Sequence, residues 1–559
     1  MDQMMTAGEP AEPGITPIPV PPGFPVKWDT EEEANLLWSW DEFHAPLPRS
    51  PMSQSLAEIT RVGMNRATRE TGRYTSSLRK TFNGYPYSAA LPKDETAEDK
   101  QLKQALIDKA IESAWDRWQH EWEPKLVADL EQMKSVDLSK GSDIAFLATL
   151  DRFLALHGEH WYLHHLIVMP TIEAASRLEQ AYVEAVGEKG KADAHKLLHG
   201  TETKTARSIR ALDALATASR KARGVKEAVD DARDVDDLRR RLATTPAGRA
   251  WRRRFEGYLS EFGYRTTGFD FIYPTWIEDP SFVLMNIRAR VASGAAVDLW
   301  AKGHRELGAE RARLLAAVEE RLAAEPERLA RFRRIYETAQ RLWPLKEDHS
   351  FYIDQASTAL VRHGIAELGR RLAGHGLIAR PEDVYFLVFA EASGALRNSA
   401  TPGTKADGLD RLARTRRAER EAWSRLRPPK YLGAYPADYK GERESSPAIT
   451  EAFRELRGTA ASAGSGTGRA VVVMSPDDFD KVRKGDVLVC RSTAPMWTPL
   501  FEIVAGLVSE AGGMLSHPAV VAREFGLPAA VGVRGATALI RDGQVINVSG
   551  TEGIVRLVE

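Results

Sequence analysis

Two hydrophobic periods divide the 559-residue chain. From about Ser53 to residue 343, apolar side chains recur every three or four positions, the spacing of one buried helix face. This predicts a helix from about Ser53 and helices over 98–135, 142–185, 190–222 and 225–262. They resume over 281–343, where Ala309 to Arg341 is dense in Arg, Glu and Ala. Beyond about residue 458 the period shortens. Ala470–Met474, Val487–Cys490, Ala505–Val508, Ala529–Val533, Val545–Val548 and Ile554–Val558 are short apolar runs separated by turn residues. They predict strands alternating with helices or turns. The expected fold class is multidomain: a large, mostly α-helical domain followed by a small α/β domain.

Composition sets the expected boundaries. Residues 1–26 hold Pro10, Pro13, Pro17, Pro19, Pro21, Pro22 and Pro25 and read as a flexible Pro-rich arm. Residues 27–395 form the helical domain and 458–559 the α/β domain. Between them, 396–457 is polar and Pro/Gly-bearing, a linker around a charged helix at about 409–426.

Charge and cysteine content narrow the class. Lys plus Arg (77) nearly balances Asp plus Glu (78), so no global field steers the chain to nucleic acid or an anionic membrane. The one cysteine, Cys490, excludes a disulfide framework and reads as a buried strand residue. No apolar run approaches the roughly 18 residues of a spanning helix. The start of the chain lacks the basic and apolar regions of a signal peptide. A soluble cytoplasmic protein is expected.

The chemistry concentrates in Gly512-Gly513-Met514-Leu515-Ser516-His517-Pro518-Ala519-Val520-Val521-Ala522-Arg523-Glu524-Phe525-Gly526-Leu527-Pro528. The apolar run Ile503–Val508 feeds a Gly-Gly turn, and the turn feeds a short helix with Pro518 in its first turn and Gly526 at its stop. His517 thus sits at a helix mouth, among backbone N–H groups that favour a phosphate-like anion. A neutral imidazole there is a nucleophile able to carry a phosphoryl group; the competing reading is a capping histidine. Gly464, Gly466 and Gly468 do not form a nucleotide loop, because their spacing is wrong and they precede a strand.

The Gly512–Pro528 stretch, continued by Ala529 and Gly532, resembles the phosphohistidine swivelling domain of the phosphoenolpyruvate-utilising enzyme family. Pro518 departs from that pattern but suits a helix start. Thr493-Ala494-Pro495-Met496-Trp497-Thr498-Pro499-Leu500-Phe501 resembles the segment that precedes the motif in the rifampicin phosphotransferase branch. Looser resemblance extends over Trp38–Pro51, Gly263–Arg265, Pro274–Pro280 and Asp383–Leu387. It implies that His517 carries the phosphate and that Thr493, Ser516 and Arg523 orient or neutralise it. No ATP-grasp domain and no pyruvate-handling barrel is recognised in the chain. The layout therefore resembles the histidine-bearing subunit of phenylphosphate synthase and cresol-phosphorylating systems. By that resemblance ATP and Mg²⁺ bind an ATP-grasp partner subunit, and phosphate passes from His517 to a small phenolic hydroxyl. Two alternatives stand beside it: an antibiotic-type or biosynthetic phosphotransferase acting on a larger hydroxylated molecule, and a non-catalytic phosphohistidine relay.

Transfer to a hydroxyl needs a base. His157, His160 and His164 fall at i, i+3 and i+7 on one helical face. Such a face serves internal packing, a metal bound through neutral imidazoles, or proton removal at the acceptor, and the pattern alone leaves all three open. His349, in Asp348-His349-Ser350-Phe351-Tyr352, is a further acceptor-site candidate, and Arg265 and Arg49 are candidate phosphate clamps. No metal site is assigned from the sequence.

Overall fold

The computed structural model describes residues 15–72, 77–91, 95–198, 201–266, 268–292, 299–399, 407–440, 454–493, 495–514 and 516–558. For His517 it describes the backbone alone.

The helical period is realised largely where it was read. The helix Pro51–Glu70 begins with Pro in its first turn, and the Ser50 hydroxyl accepts from Ser53 N. It packs along the 44-residue helix Asp143–Val186, which Ser142 caps in the same way. Contact is close enough that a Cβ on Gly63 would stand 2.8 Å from the Gly158 carbonyl oxygen, so only glycine fits there. Met52, Leu56, Leu150, Phe153 and Ile167 form part of the main core between them.

The predicted 225–262 helix is three helices: Arg223–Asp231, Val235–Leu242 and Pro246–Phe262. Asp234 and Thr245 restart the chain as N-caps, and Pro246 cannot continue a preceding helix. The predicted 190–222 helix is a 3₁₀ run, Glu188–Leu198, followed by the helix Lys204–Lys221. Two α-helical paths pass through π turns, Trp118–Trp122 and Phe351–Ser357. The charged helix runs from Asp407 to Ser424.

The helical region also contains a sheet that the sequence reading passed over. Strands β1 (Thr16–Pro17), β2 (Leu37–Trp40), β3 (Ser77–Phe82), β4 (Tyr85–Ala90) and β5 (Tyr431–Tyr435) pair antiparallel in the order β1-β5-β2-β4-β3. Its β3–β4 turn is Asn83-Gly84, both at positive φ, the conformation that a two-residue hairpin requires. The boundaries shift accordingly. Residues 15–26, assigned above to a flexible arm, add a strand to this sheet and bury Ile18 and Phe24; residues 1–14 lie outside the described part. Residues 431–435, assigned to the linker, are the sheet's inner strand β5. Within that linker, 400–406 and 441–453 lie outside the described residues, and 455–457 form a strand of the C-terminal sheet.

The C-terminal domain is an eight-stranded sheet: β6 (Glu455–Arg457), β7 (Thr459–Ser462), β8 (Ser465–Val473), β9 (Val487–Cys490), β10 (Gly506–Ser509), β11 (Ala529–Val531), β12 (Val545–Ser549) and β13 (Ile554–Leu557). The order is β6-β13-β12-β8-β9-β10-β11-β7, parallel from β8 to β11 and antiparallel outside. Gly466 and Gly468 lie in β8 because a Cβ there would meet the carbonyl oxygens of Ala505 and Gly485 at 2.0 and 2.1 Å. That crowding, and not a nucleotide, explains the glycines. Cys490 is fully buried in β9, and burial pushes its thiol far up, away from the reactive thiolate.

This domain is docked on the helical body. Phe479 packs on Phe282 with ring centroids 5.0 Å apart, and Arg290 pairs with Glu502 at 2.5 Å. Arg427 meets Glu510 at 2.9 Å, and Arg491 donates to the Pro46 carbonyl. Among the described residues no helix is long and apolar enough to cross a membrane.

Candidate functional site

Parallel strands place their connecting loops along one edge of the sheet, beyond the strands' C-terminal ends, where α/β domains hold their ligands. Here the loops after β9 and β10 share that edge. The β10 loop runs on for two residues in register with its neighbour, Glu510 N donating to Cys490 O and Ala511 N to Arg491 O. It turns at Gly512, whose φ of 110° excludes most side chains. Ser516 is the N-cap of the helix His517–Glu524, but its hydroxyl turns back to the Gly513 carbonyl at 2.7 Å instead of capping. With Pro518 lacking an N–H, the first turn keeps uncapped donors beside the backbone of His517. The orientation of the His517 ring lies outside the described part.

Arg523, the penultimate residue of that helix, reaches back to the loop. Its Nη2 donates to Met514 O at 2.5 Å and its Nη1 to Ala461 O at 2.8 Å. Burial pulls its guanidinium down to about 9. Arg523 thus staples the loop before His517 to its own helix and to the edge strand β7. The helix is wedged between two cores, Val520 facing one and Ala519, Val521 and Ala522 the other.

The β9 loop lines a cleft of ≈ 500 Å³ between the C-terminal domain and the helical body. Ser492, Thr493, Met474 and Trp497 form one wall; Phe43 to Arg49, Gly268 to Asp270, Tyr273 and Arg420 form the other. The lining is largely apolar and aromatic. Thr493 is buried and its hydroxyl has no partner among the described residues, an open donor at the cleft wall. His44 carries the titratable imidazole of the cleft. Its Nδ1 stands 2.8 Å from Asp41 Oδ1. A carboxylate only accepts, so Nδ1 donates, and in the neutral ring Nε2 holds the lone pair. Burial would depress this imidazole, but the Asp41 charge and hydrogen bond outweigh it, with Arg49 opposing, and His44 titrates above the ordinary histidine range.

The histidines read from the sequence lie deeper. His157 and His160 both direct Nδ1 at Ser357 Oγ, 2.8 Å away in each case, and the other nitrogens meet Trp161 and Asp129. Burial, with His160 beside it, drives His157 down to about 3, so it stays neutral. His164 parts from that face and pairs with Asp354 at 2.9 Å, beside His349. None of these four lines the cleft. Arg265 is buried against Phe262, Trp276 and Phe351, and burial brings it down to about 10; it packs the interior.

The sequence reading missed Asp41, His44, Asp354 and Ser357 as site residues. The first pair lies in a Pro-punctuated segment with no period to read. Asp354 stands five residues after His349, a spacing that faces one way only in a π turn.

A parallel-centred α/β domain with a histidine at a helix mouth is thus docked on a helical body across a cleft, and two segments of the chain match known families. Residues 482–553 match the model "PEP-utilising enzyme, mobile domain", and 163–347 match "Rifampicin phosphotransferase fourth domain". The first match groups residues 482–553 with the mobile domains of phosphoenolpyruvate-utilising enzymes. It is similar to a rifampicin phosphotransferase of Streptomyces sp (34% identity over 88% of this chain and 53% of that one). It is also similar to the uncharacterized phosphotransferase YvkC of Bacillus subtilis (strain 168), at 28% identity over 95% and 63%. A third relative is chondramide synthase cmdD of Chondromyces crocatus, at 30% over 97% and 14%. The chain thus spans less than two thirds of the length of each of these relatives.

Proposed function

We propose that this chain is the phosphohistidine-bearing and acceptor-binding part of an ATP-dependent phosphotransferase. The observation that supports the reading most is the shared sheet edge: the loop leading into His517 and the cleft-lining loop of Thr493 leave neighbouring parallel strands. An ATP-binding unit with its Mg²⁺ loads His517, and the α/β domain then carries the phosphoryl group to the cleft. The relatives are longer than this chain, so that unit stands on the same polypeptide or on a partner.

In the transfer step the acceptor hydroxyl oxygen attacks phosphorus as the phosphorus–nitrogen bond to His517 breaks. The hydroxyl proton passes to His44 Nε2, and Asp41 stabilises the imidazolium that forms. Arg49 and Arg420, both at the cleft, neutralise the moving charge. The walls of Phe43, Phe269, Tyr273 and Trp497 favour an aromatic acceptor, a phenol or alkylphenol. A larger aromatic hydroxyl compound of the antibiotic type is the second reading, favoured by the named rifampicin phosphotransferase relatives.

The test is a chase. Protein labelled on His517 is mixed with phenol, p-cresol or a rifamycin. Loss of label with formation of one phosphorylated product assigns the acceptor class. Label that none of these removes overturns the aromatic-acceptor assignment.

A further inference from the structure

We propose that His164, His349 and Asp354 form a binding site for a divalent transition-metal ion. The inference stands apart from the phosphotransfer reading and rests on the interior of the helical body.

Three elements bring the ligands together. His164 comes from the middle of helix Asp143–Val186, His349 from the end of helix Leu345–Ser350, and Asp354 from the π turn that follows it. One ligand atom from each lies within 4.8 Å of the others. Their side chains are 11%, 4% and 11% exposed, so this is an interior cluster and not a chance gathering of surface groups.

The hydrogen-bond pattern points to a cation. His349 Nδ1 lies 2.7 Å from the Leu345 carbonyl oxygen, which only accepts, so Nδ1 carries the proton. In the neutral ring Nε2 then presents a lone pair, and what it faces is Asp354 Oδ2 at 4.0 Å. Two acceptors look at each other across that gap. The separation is about twice a metal–ligand bond of roughly 2.1 Å, so an ion between them satisfies both. The Leu345 carbonyl behind His349 is the outer-shell partner that metal-bound histidines typically have. On the other side His164 Nδ1 lies 2.9 Å from Asp354 Oδ1. Joining the ion moves the His164 proton to its other nitrogen and leaves both electron pairs free for coordination.

Donor chemistry sets the class of ion. Two imidazole nitrogens and one carboxylate oxygen suit zinc, cobalt, manganese or iron(II), whereas magnesium and calcium prefer all-oxygen shells. Three protein ligands leave a position for water or another small ligand. The π turn is what makes the set possible, because in an α-helix residues 349 and 354 would point apart.

Chelator-stripped protein is titrated with Co²⁺, read by its visible absorption and by equilibrium dialysis, with Zn²⁺ as competitor. One Co²⁺ per chain, displaced by Zn²⁺, is expected, with a rise in Tm because the ion binds the folded state. His349→Gln and Asp354→Asn are each expected to weaken binding at least about tenfold, while His157→Gln keeps it. Circular dichroism checks that each variant is folded, and the two ligand variants back one another if one is not. Absence of stoichiometric Co²⁺, or wild-type affinity in both ligand variants, overturns the site.

Discussion

The carboxylate of Asp270 takes both hydrogen-bond donors of Ser50, 220 residues away in sequence, accepting from its backbone N and from its Oγ at 2.6 Å each. The same carboxylate accepts from Ser53 Oγ at 2.8 Å and from Ile272 N at 3.0 Å. One buried side chain therefore fixes the start of helix Pro51–Glu70 to the 268–273 loop, and so sets the two helical-body walls of the cleft against each other. Asp270→Asn turns an acceptor into a donor facing donors. It is expected to cost about 3 kcal/mol of stability, read as a lowered denaturation midpoint with an unchanged slope.

Arg523 plays a comparable part for the loop before His517. Arg523→Lys keeps the charge, but one ammonium on a shorter reach does not replace the planar fork that serves Met514 O and Ala461 O. The expected loss is about 2 kcal/mol, with slower labelling of His517 and unchanged acceptor KM. Labelling at the wild-type rate would show that the staple does not position the loop.

In the cleft, His44→Gln removes the base but keeps much of the side-chain volume. The expected fall in kcat is about 10²- to 10⁴-fold, the usual worth of a positioned base, with labelling of His517 unaffected. Thr493→Val is expected to raise KM for the acceptor while changing stability little, since the hydroxyl has no partner among the described residues. Steady-state kinetics on the two variants separates these roles.

Docking of the α/β domain is expected to depend on pH. Glu524, on the helix that follows His517, is pushed up to about 8, first by burial and then by the Glu347 carboxylate, with Arg523 opposing. Lys346 and His195 also face Arg523, and burial drives His195 down to about 2, so it stays neutral. A carboxyl raised above its free value of 4.5 contributes stability that is complete below that value and lost as pH rises through 8. Docking should therefore weaken between pH 4.5 and 8, with a limiting slope of about 1.4 kcal/mol per pH unit. Hydrogen exchange along 517–524 measures it, and Glu524→Gln should flatten the profile.

The α/β domain was legible because its buried strands are unbroken apolar runs: β9 was read to the residue, β10, β11, β12 and β13 to within two residues, and β8 only over its second half, since its first half, Ser465 to Arg469, is Gly-rich and polar. β6 and β7 were not, since β7 is Thr459-Ala460-Ala461-Ser462, with little hydrophobicity to mark an edge strand. The β3–β4 hairpin was missed although Asn83-Gly84 is a turn signal, because β3, Ser77-Leu78-Arg79-Lys80-Thr81-Phe82, is a mostly polar and exposed edge strand. On the site side, the helix mouth at His517 followed from Pro518 and Gly526. The cleft did not, because it joins segments hundreds of residues apart. Helical spacing grouped His157, His160 and His164, but a π turn on the facing path splits them between Ser357 and Asp354.

The most direct test of the central claim is site-resolved labelling. The protein, together with an ATP-grasp unit shown to hydrolyse ATP, is incubated with radiolabelled ATP and Mg²⁺, and the labelled peptide is mapped. The account predicts acid-labile, base-stable label on the peptide containing His517 and none in His517→Ala. Label of equal amount in His517→Ala, or no label while the donor unit turns over, would contradict it.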